Sequence, residues 1–388
     1  MGKSLALYSE KLISTEKVIP GHIIVSDGKI SEITKGPIPP SFSGEKMDLG
    51  DKMVFPGFVD LHIHGAGGYP LTENHEDILK LARFLASKGT AAFMPTTTSL
   101  GLGDLKKQVK AVKKAREEQE KGAGGAKILG VHLEGPFLNV ERKGAMVEKY
   151  LIEPSLDFFA ELEDAARGMP LRLTLAPEKE GATSLIRHAS KRGYIIAGGH
   201  TNATYDQMTE GINAGISIAN HLFNAMSPLH HREPGVVGAY LTDDRVFCEV
   251  IADGIHIHPA VLNLAYRCKG SEKLVLISDA ILAAGLPPGS YDFGGKKINI
   301  DQKGRSFLDD GTLAGSTALM ARGAKTLYET VGLPLPAISA VASGNPSLAI
   351  KETTLGDLKP GKEATFTVLD ENFEAVKTIV SGQLQKEA

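Results

Sequence analysis

The sequence predicts an α/β protein, a (β/α)8 TIM-like barrel with a small β-sandwich domain formed by the N- and C-terminal segments. Three observations support this fold class. Short apolar runs alternate with helical stretches through the middle of the chain, and both ends have the pattern of β structure. The length of 388 residues fits one large domain plus a smaller one. We assign residues 1–53 and 356–388 to the small domain and residues 54–355 to the barrel.

The terminal segments carry strand signals that would not be stable alone. Residues 23–33 read as two strands around Asp27-Gly28, a dipeptide typical of a tight hairpin turn. Residues 364–369 and 378–380 read as strands at the other end. Because neither end is expected to form a stable sheet by itself, we predict that the two ends pair into one domain. Two separate surface hairpins are the alternative.

Eight apolar runs in the middle of the chain have the length of buried strands. They lie at residues 54–59, 91–94, 128–133, 171–175, 194–197, 216–219, 247–251 and 274–277. Helical patterns separate most of them, most clearly at residues 76–87, 104–119, 155–166, 183–192 and 205–213. Eight such units fit a closed barrel. An open doubly wound sheet is the main competitor, but no Gly-x-Gly-x-x-Gly motif opens a helix after the first strand.

Polar residues lie at the C-terminal ends of most of these apolar strands. Active sites of such barrels lie at the C-terminal ends of the strands. The residues found there are His62, His64, His132, Glu134, His200, His221, His256, His258 and Asp279. Any one of them could be a hydrogen-bonded core histidine or a helix cap. Their concentration on one rim predicts a metal site instead.

The pattern of these residues suggests how a metal would be held. Side chains alternate along a strand, so His62 and His64 point the same way and can bind one divalent ion. Glu134, His200 and His221 supply two imidazoles and a carboxylate, as in catalytic zinc sites. Glu134 could bridge the two positions. We therefore predict a divalent metal cofactor, one or two ions per subunit, with Zn or Fe favoured by imidazole ligands.

Hydrolysis at such a metal also needs a group that moves a proton from the water to the leaving group. Asp279 is the candidate, since it is the one acidic residue besides Glu134 that ends a strand on this rim. His256 is a candidate for stabilising the developing oxyanion.

Composition excludes several other classes of function. The formal net charge of −3 gives no reason to expect nucleic acid or an anionic membrane as a partner. No apolar stretch approaches the roughly 18 to 20 residues that span a bilayer, and no secretory signal is evident. The two cysteines, Cys248 and Cys268, are too few for a disulfide framework, so we expect a cytoplasmic protein.

Several motifs together resemble a known family. Residues 54–64 (VFPGFVDLHIH) are similar to the opening of the amidohydrolase superfamily. Six further motifs narrow the resemblance to the sugar-phosphate deacetylases within this superfamily. They are residues 132–137 (HLEGPF), 199–201 (GHT), 220–226 (NHLFNAM), 232–235 (REPG), 253–256 (DGIH) and 278–280 (SDA). It covers essentially the whole chain. It implies a metal-dependent hydrolase of amino-sugar metabolism that removes acetate from N-acetyl-D-glucosamine 6-phosphate, with a homodimeric assembly.

The resemblance also implies roles for individual residues. Glu134, His200 and His221 would be the primary metal ligands, Asp279 the catalytic acid and base, and His256 the contact to the acetyl carbonyl. The phosphate would be held by Asn224, the backbone at Ala225, Arg232 and His231. The sugar site would be lined by Ala145, Met146, Asp253, His256, Leu313, Ala314 and Gly315. Met146 departs from relatives that have histidine there.

Two other functions compete with this interpretation. A cyclic amidase of the dihydroorotase or hydantoinase kind usually carries a lysine that bridges its metals, whereas the third strand here ends in Glu134. A non-catalytic sugar-phosphate sensor on the same barrel would have no need of Asp279 beside a full ligand set. No Gly-x-x-x-x-Gly-Lys-Ser/Thr motif points to nucleoside triphosphates.

Overall fold

A computed structural model describes residues 4–293 and 296–385 of the chain. Both ends of the chain join a single eight-stranded sheet, which confirms that they pair. Its strands are Leu5–Ile13, Val18–Ser26, Lys29–Lys35, Glu45–Asp48, Met53–Pro56, Phe366–Leu369, Ala375–Val380 and Gln383–Leu384. The two ends meet where Met53–Pro56 pairs antiparallel with Phe366–Leu369. Apolar side chains from both ends, such as Leu7 and Phe366, share one hydrophobic core.

The predicted hairpin near the N-terminus is present. Val18–Ser26 and Lys29–Lys35 pair antiparallel, joined by Asp27 and Gly28. These two residues have φ angles of 50° and 72°. Positive φ at both central positions is what a type I′ turn requires, which explains the preference for Asp-Gly.

The apolar run 54–59 is not one strand, and this part of the prediction is wrong. Its first half belongs to Met53–Pro56 in the terminal sheet, and the barrel begins at Phe58–Ile63. Both segments are fully buried, so hydrophobicity does not reveal the boundary between them. The chain crosses from one sheet to the other at Gly57, where a Cβ atom would lie 2.6 Å from the side chains of Ala91 and Thr365.

Eight parallel strands form the predicted barrel around a buried interior. They are Phe58–Ile63, Thr90–Thr97, Val131–Glu134, Leu171–Leu175, Ile195–Gly198, Ile216–Ala219, Phe247–Ile251 and Leu274–Ile277, and each pairs with the next in chain order. A short strand, Lys127–Ile128, also pairs with the second. The barrel closes at its mouth, where the Asp279 N–H donates to the His62 carbonyl at 2.9 Å and the His64 N–H donates to the Ala280 carbonyl at 2.8 Å.

Helices surround the barrel, and the five predicted ones are confirmed to within two residues at each end. They are His75–Ser87, Leu102–Glu120, Leu156–Ala166, Ala182–Lys191 and Tyr205–Ala214. Polar caps define several starts; Thr204 and Gln207, for example, form a reciprocal capping box. The further α-helices are Gly235–Thr242, Pro259–Lys273, Met320–Thr326, Leu335–Ser339 and Asn345–Ala349. Among the described residues, no helix combines the length and the hydrophobicity needed to cross a membrane.

Several short elements lie between and after the barrel strands. A three-stranded sheet of Gly289–Phe293, Lys296–Ile300 and Ser306–Phe307 follows the eighth strand. Two small strands, Gly65–Ala66 and Tyr69–Pro70, follow the first. The connection after the third strand contains the single-turn helices Val140–Arg142 and Glu148–Tyr150. Leu327–Val331 and Ala340–Gly344 are π-helical.

Candidate metal centre and active site

The barrel brings the predicted metal-binding residues to one mouth. His62 and Glu134 lie on the first and third barrel strands, and His200, His221 and Asp279 each lie two residues beyond the fifth, sixth and eighth. The last three adopt left-handed backbone conformations, with φ of 48°, 30° and 48°. L-residues rarely adopt such angles, and this kind of strain is concentrated at functional sites. The strain is therefore an independent indication of a site.

The first group of candidate ligands consists of Glu134, His200 and His221. The Nε2 atoms of His200 and His221 lie 3.2 Å and 3.0 Å from Glu134 Oε1. All three side chains are buried. Their ligand atoms lie within 4.8 Å of one another, which is close enough for one ion.

The second group consists of His62, His64 and Asp279. The two Nε2 atoms are 3.3 Å apart, and each lies 3.4 Å from Asp279 Oδ1. His64 Nε2 is also 3.2 Å from Glu134 Oε2. Glu134 therefore lies between the two groups, where a bridging ligand would be. The sequence pattern suggested His62, His64 and Glu134 for this position but did not reveal that Asp279 joins them.

The hydrogen-bond partners of two of these histidines indicate that the donor set fits a cation. His64 Nδ1 lies 3.1 Å from the Thr96 carbonyl, and His200 Nδ1 lies 2.8 Å from the Arg142 carbonyl. A carbonyl only accepts, so Nδ1 carries a proton, and Nε2 offers a lone pair whenever the ring is neutral. That lone pair faces a Glu134 oxygen at 3.2 Å in both cases. This pair of atoms favours a positive charge, either a proton on the ring or a cation that replaces it.

Charge within the site shifts the pKa of its members. Burial is the largest influence on His64 and lowers its pKa, but hydrogen bonds with Asp279 and Glu134 outweigh burial and raise the pKa to about 9. Burial would raise the pKa of Glu134, but His62 and His200 hold it well below its usual value. The carboxylates are thus ionised, and protons compete with metal for the imidazoles.

A cavity of about 380 Å³ opens directly over the two groups. This size suits a small-molecule ligand. The predicted residues that line it are His64, Glu134, Ala145, Met146, His200, His221, Asn224, Ala225, His256, Asp279, Leu313, Ala314 and Gly315. Residues that sequence reasoning missed also line it, namely Thr98, Glu141, Arg142, Gly144, Ile281 and Thr312. For Arg142, the only signal in the sequence was its position just before Ala145 and Met146, which were predicted to line the sugar site.

Three predicted substrate contacts are not among the described residues that line this cavity. Arg232 and His231 lie exposed in the loop after the sixth strand, with Arg232 Nη1 2.8 Å from His231 Nε2. Their contact with phosphate stays a prediction. Asp253 instead holds His256: its Oδ2 lies 2.7 Å from His256 Nδ1, and its Oδ1 accepts the N–H of Ile255 and His256.

Two histidines of the predicted rim are structural. His132 is fully buried, and its ring nitrogens lie 3.1 Å from Thr96 Oγ1 and 2.7 Å from Thr174 Oγ1. Burial, the largest influence, lowers its pKa well below the usual value, and the nearby Arg172 charge acts in the same direction. His258 caps the helix Pro259–Lys273 by accepting the N–H of Ala260.

Comparison with known proteins agrees with this geometry. The amidohydrolase family matches residues 53–384. The chain is 36% identical to the N-acetylglucosamine-6-phosphate deacetylase of Bacillus subtilis, over 99% of this chain and 98% of that protein. It is 34% identical to the N-acetylgalactosamine-6-phosphate deacetylase of Escherichia coli O157:H7, over 97% and 98%. The crystal structure of N-acetylglucosamine-6-phosphate deacetylase from Pasteurella multocida superposes with a TM-score of 0.92 at 31% identity, covering 99% of this chain and 100% of that one.

Proposed function

Because the chain belongs to the amidohydrolase family, we propose that it hydrolyses N-acetyl-D-glucosamine 6-phosphate to D-glucosamine 6-phosphate and acetate. One observation carries the proposal: Glu134, His200 and His221 converge beside Asp279 at the floor of a cavity large enough for a small molecule. The two alternative functions, a cyclic amidase and a non-catalytic sugar-phosphate sensor, are not favoured. The glutamate stands where the cyclic amidases have a lysine, and a sensor would not need Asp279 beside the ligand set.

Glu134, His200 and His221 would hold the primary cation, and His62, His64 and Asp279 could hold a second one, so each subunit would bind one or two ions of Zn or Fe. A divalent cation bound there lowers the pKa of a water and polarises a carbonyl. Support comes from the donor set, in which imidazole lone pairs face carboxylate oxygens. Imidazole with carboxylate suits these metals.

Asp279 moves the proton. Burial would raise its pKa, but His62 and His64 lower it, so the carboxylate is ionised at neutral pH and ready to accept a proton. It takes a proton from the attacking water and then gives that proton to the amine that leaves.

His256 polarises the acetyl carbonyl from the wall of the cavity. Its Nδ1 proton is donated to Asp253, so Nε2 carries a proton only when the ring is charged. Burial, the largest influence, disfavours the charged ring, but the hydrogen bond with Asp253 raises the pKa of His256 overall. The charged ring can donate to the oxyanion as it develops.

The variant Asp253→Asn tests this role through pH. Removing the carboxylate lowers the pKa of His256. As pH increases, the ring of the variant therefore loses its proton at a lower pH than the ring of the wild type does. The alkaline limb of the kcat/KM profile should move down by roughly one pH unit or more. The control is Ser316→Ala, which removes the other side-chain donor to Asp253 Oδ2, at 3.1 Å, and keeps the carboxylate. An unchanged alkaline limb in Asp253→Asn would contradict the role.

Arg232, His231, Asn224 and the backbone at Ala225 hold the phosphate, and Ala145, Met146, Leu313, Ala314 and Gly315 line the sugar. Asn224 and Ala225 line the cavity, whereas Arg232 and His231 are exposed outside its lining. We propose that these two contact the substrate of a neighbouring subunit in a homodimer. We also propose that the protein is cytoplasmic, because both of its cysteines, Cys248 and Cys268, are free thiols.

A substrate panel tests the proposed function. Acetate release should be fastest with N-acetylglucosamine 6-phosphate, slower with its galactosamine epimer, and slow without the 6-phosphate. In Arg232→Gln, KM should rise roughly 10- to 100-fold for phosphorylated substrates, as expected for losing a hydrogen bond to a charged group. KM for free N-acetylglucosamine should not change. Faster turnover of dihydroorotate or hydantoin would contradict the proposal.

A further inference from the structure

A buried polar network lies beneath the two candidate metal groups, and nothing in the proposed chemistry uses it. Its members are Arg172, Asn220 and Glu249, all fully buried. Among the described residues, Arg172 is the largest of the fully buried side chains. A buried ion pair is weak evidence for stability, because apolar residues of similar volume are often as good or better. The network therefore calls for a role other than packing.

The guanidinium of Arg172 ties several barrel strands together. Both of its terminal nitrogens donate to the Glu249 carboxylate, and the Nη2 contact is 2.8 Å. Nη2 also donates to Asn220 Oδ1 at 2.8 Å, and Nη1 donates to the Leu61 carbonyl at 3.2 Å. These contacts join the fourth and seventh strands to the first strand and to the turn after the sixth.

Asn220 connects this network to the first metal group. Its Nδ2 donates to Glu134 Oε1 at 2.8 Å, and this is the oxygen that His200 and His221 approach. Its Oδ1 accepts from Arg172 and from Thr174 Oγ1, so the amide cannot turn over without losing those bonds. The amide therefore fixes the rotation of the Glu134 carboxylate.

Glu249 connects the network to His62 and His221. Glu249 Oε2 accepts the His221 backbone N–H at 3.4 Å and lies 3.9 Å from His62 Nδ1. His62 Nδ1 is buried and has no hydrogen-bond partner in the described part of the chain. A histidine that binds metal through Nε2 usually donates its other N–H to an acceptor. Glu249 is the carboxylate positioned to become that acceptor.

We propose that Arg172, Asn220 and Glu249 are positioning residues for the metal centre. Asn220 orients Glu134 between the two groups. Glu249, held by Arg172, accepts the Nδ1 proton of His62 and so presents the Nε2 lone pair to a cation. This inference rests on the proposed metal centre and concerns binding rather than turnover.

Zinc binding to chelator-stripped protein tests the proposal without measuring activity. Asn220→Ala removes the Glu134 contact, and the paired variant Arg172→Met with Glu249→Leu removes the ion pair without leaving a lone buried charge. The matched control is Asn345→Ala. Asn345 is also a buried asparagine, and it bonds the Ser271 and Leu274 carbonyls away from the mouth. Calorimetry gives affinity and stoichiometry, and thermal unfolding gives Tm.

We expect Asn220→Ala to bind zinc roughly 10- to 100-fold more weakly than wild type. The paired variant should stay folded, because apolar replacement of a buried pair is tolerated, and should lose affinity at the His62 position. Asn345→Ala should lower Tm and leave zinc affinity unchanged. Wild-type zinc binding in both test variants, with only Tm lowered, would overturn the network's role. Failure of the wild type to bind zinc would instead overturn the metal centre itself.

Discussion

Asp279→Asn is expected to lose about 10²- to 10⁴-fold in kcat while it keeps its fold and the cation of the first group. The amide has the shape of the carboxylate but cannot accept a proton from water at neutral pH. Asparagine also tolerates the left-handed backbone at this position, where φ is 48°. Loss of rate would therefore report on proton transfer rather than on a disturbed turn.

Acetate release and metal content should be measured on the same preparation of Asp279→Asn. Metal at the Glu134, His200 and His221 group should match wild type, because Asp279 belongs to the other group. A rate close to that of wild type in fully loaded protein would remove Asp279 from the mechanism.

Glu134→Gln is expected to have an even larger effect, because it should lose the metal as well as the rate. The Glu134 oxygens lie within 3.4 Å of the Nε2 atoms of His62, His64, His200 and His221. A cation in either group would therefore depend on the negative charge of Glu134. The neutral amide should reduce acetate release to the level of metal-free protein.

Comparison with Asp279→Asn provides the control, because each variant removes one negative charge from the same centre. Elemental analysis after dialysis should find metal in Asp279→Asn and little in Glu134→Gln. Equal metal content in the two variants, with Glu134→Gln still active, would show that Glu134 is not the shared ligand.

Much of the fold follows from local patterns. Alternating strands and amphipathic helices predicted the barrel, and Asp27-Gly28 predicted the hairpin because its turn type depends on two adjacent residues. Hydrophobicity predicts a single strand over residues 54–59, because the segments on both sides of Gly57 are fully buried although they belong to different sheets. Hydrophobicity reports burial but not which sheet buries the residue.

Less of the site could be predicted from sequence. Histidines and acids at strand ends identified the centre because parallel strands bring their ends to one mouth. The left-handed angles at His200 and His221 depend on long-range packing and leave no local signature. The same holds for Asp253, whose contact with His256 depends on a turn, and for the Arg172–Glu249 pair, which joins residues on two separate strands.

Metal reconstitution would show whether Glu134, His200 and His221 bind a cation that makes the protein a deacetylase. Chelator-stripped protein is titrated with zinc while acetate release from N-acetylglucosamine 6-phosphate is followed. We expect negligible release without zinc and a rise that levels off at one or two equivalents per subunit. Full activity in the stripped protein, or no acetate release from the reconstituted protein, would contradict it.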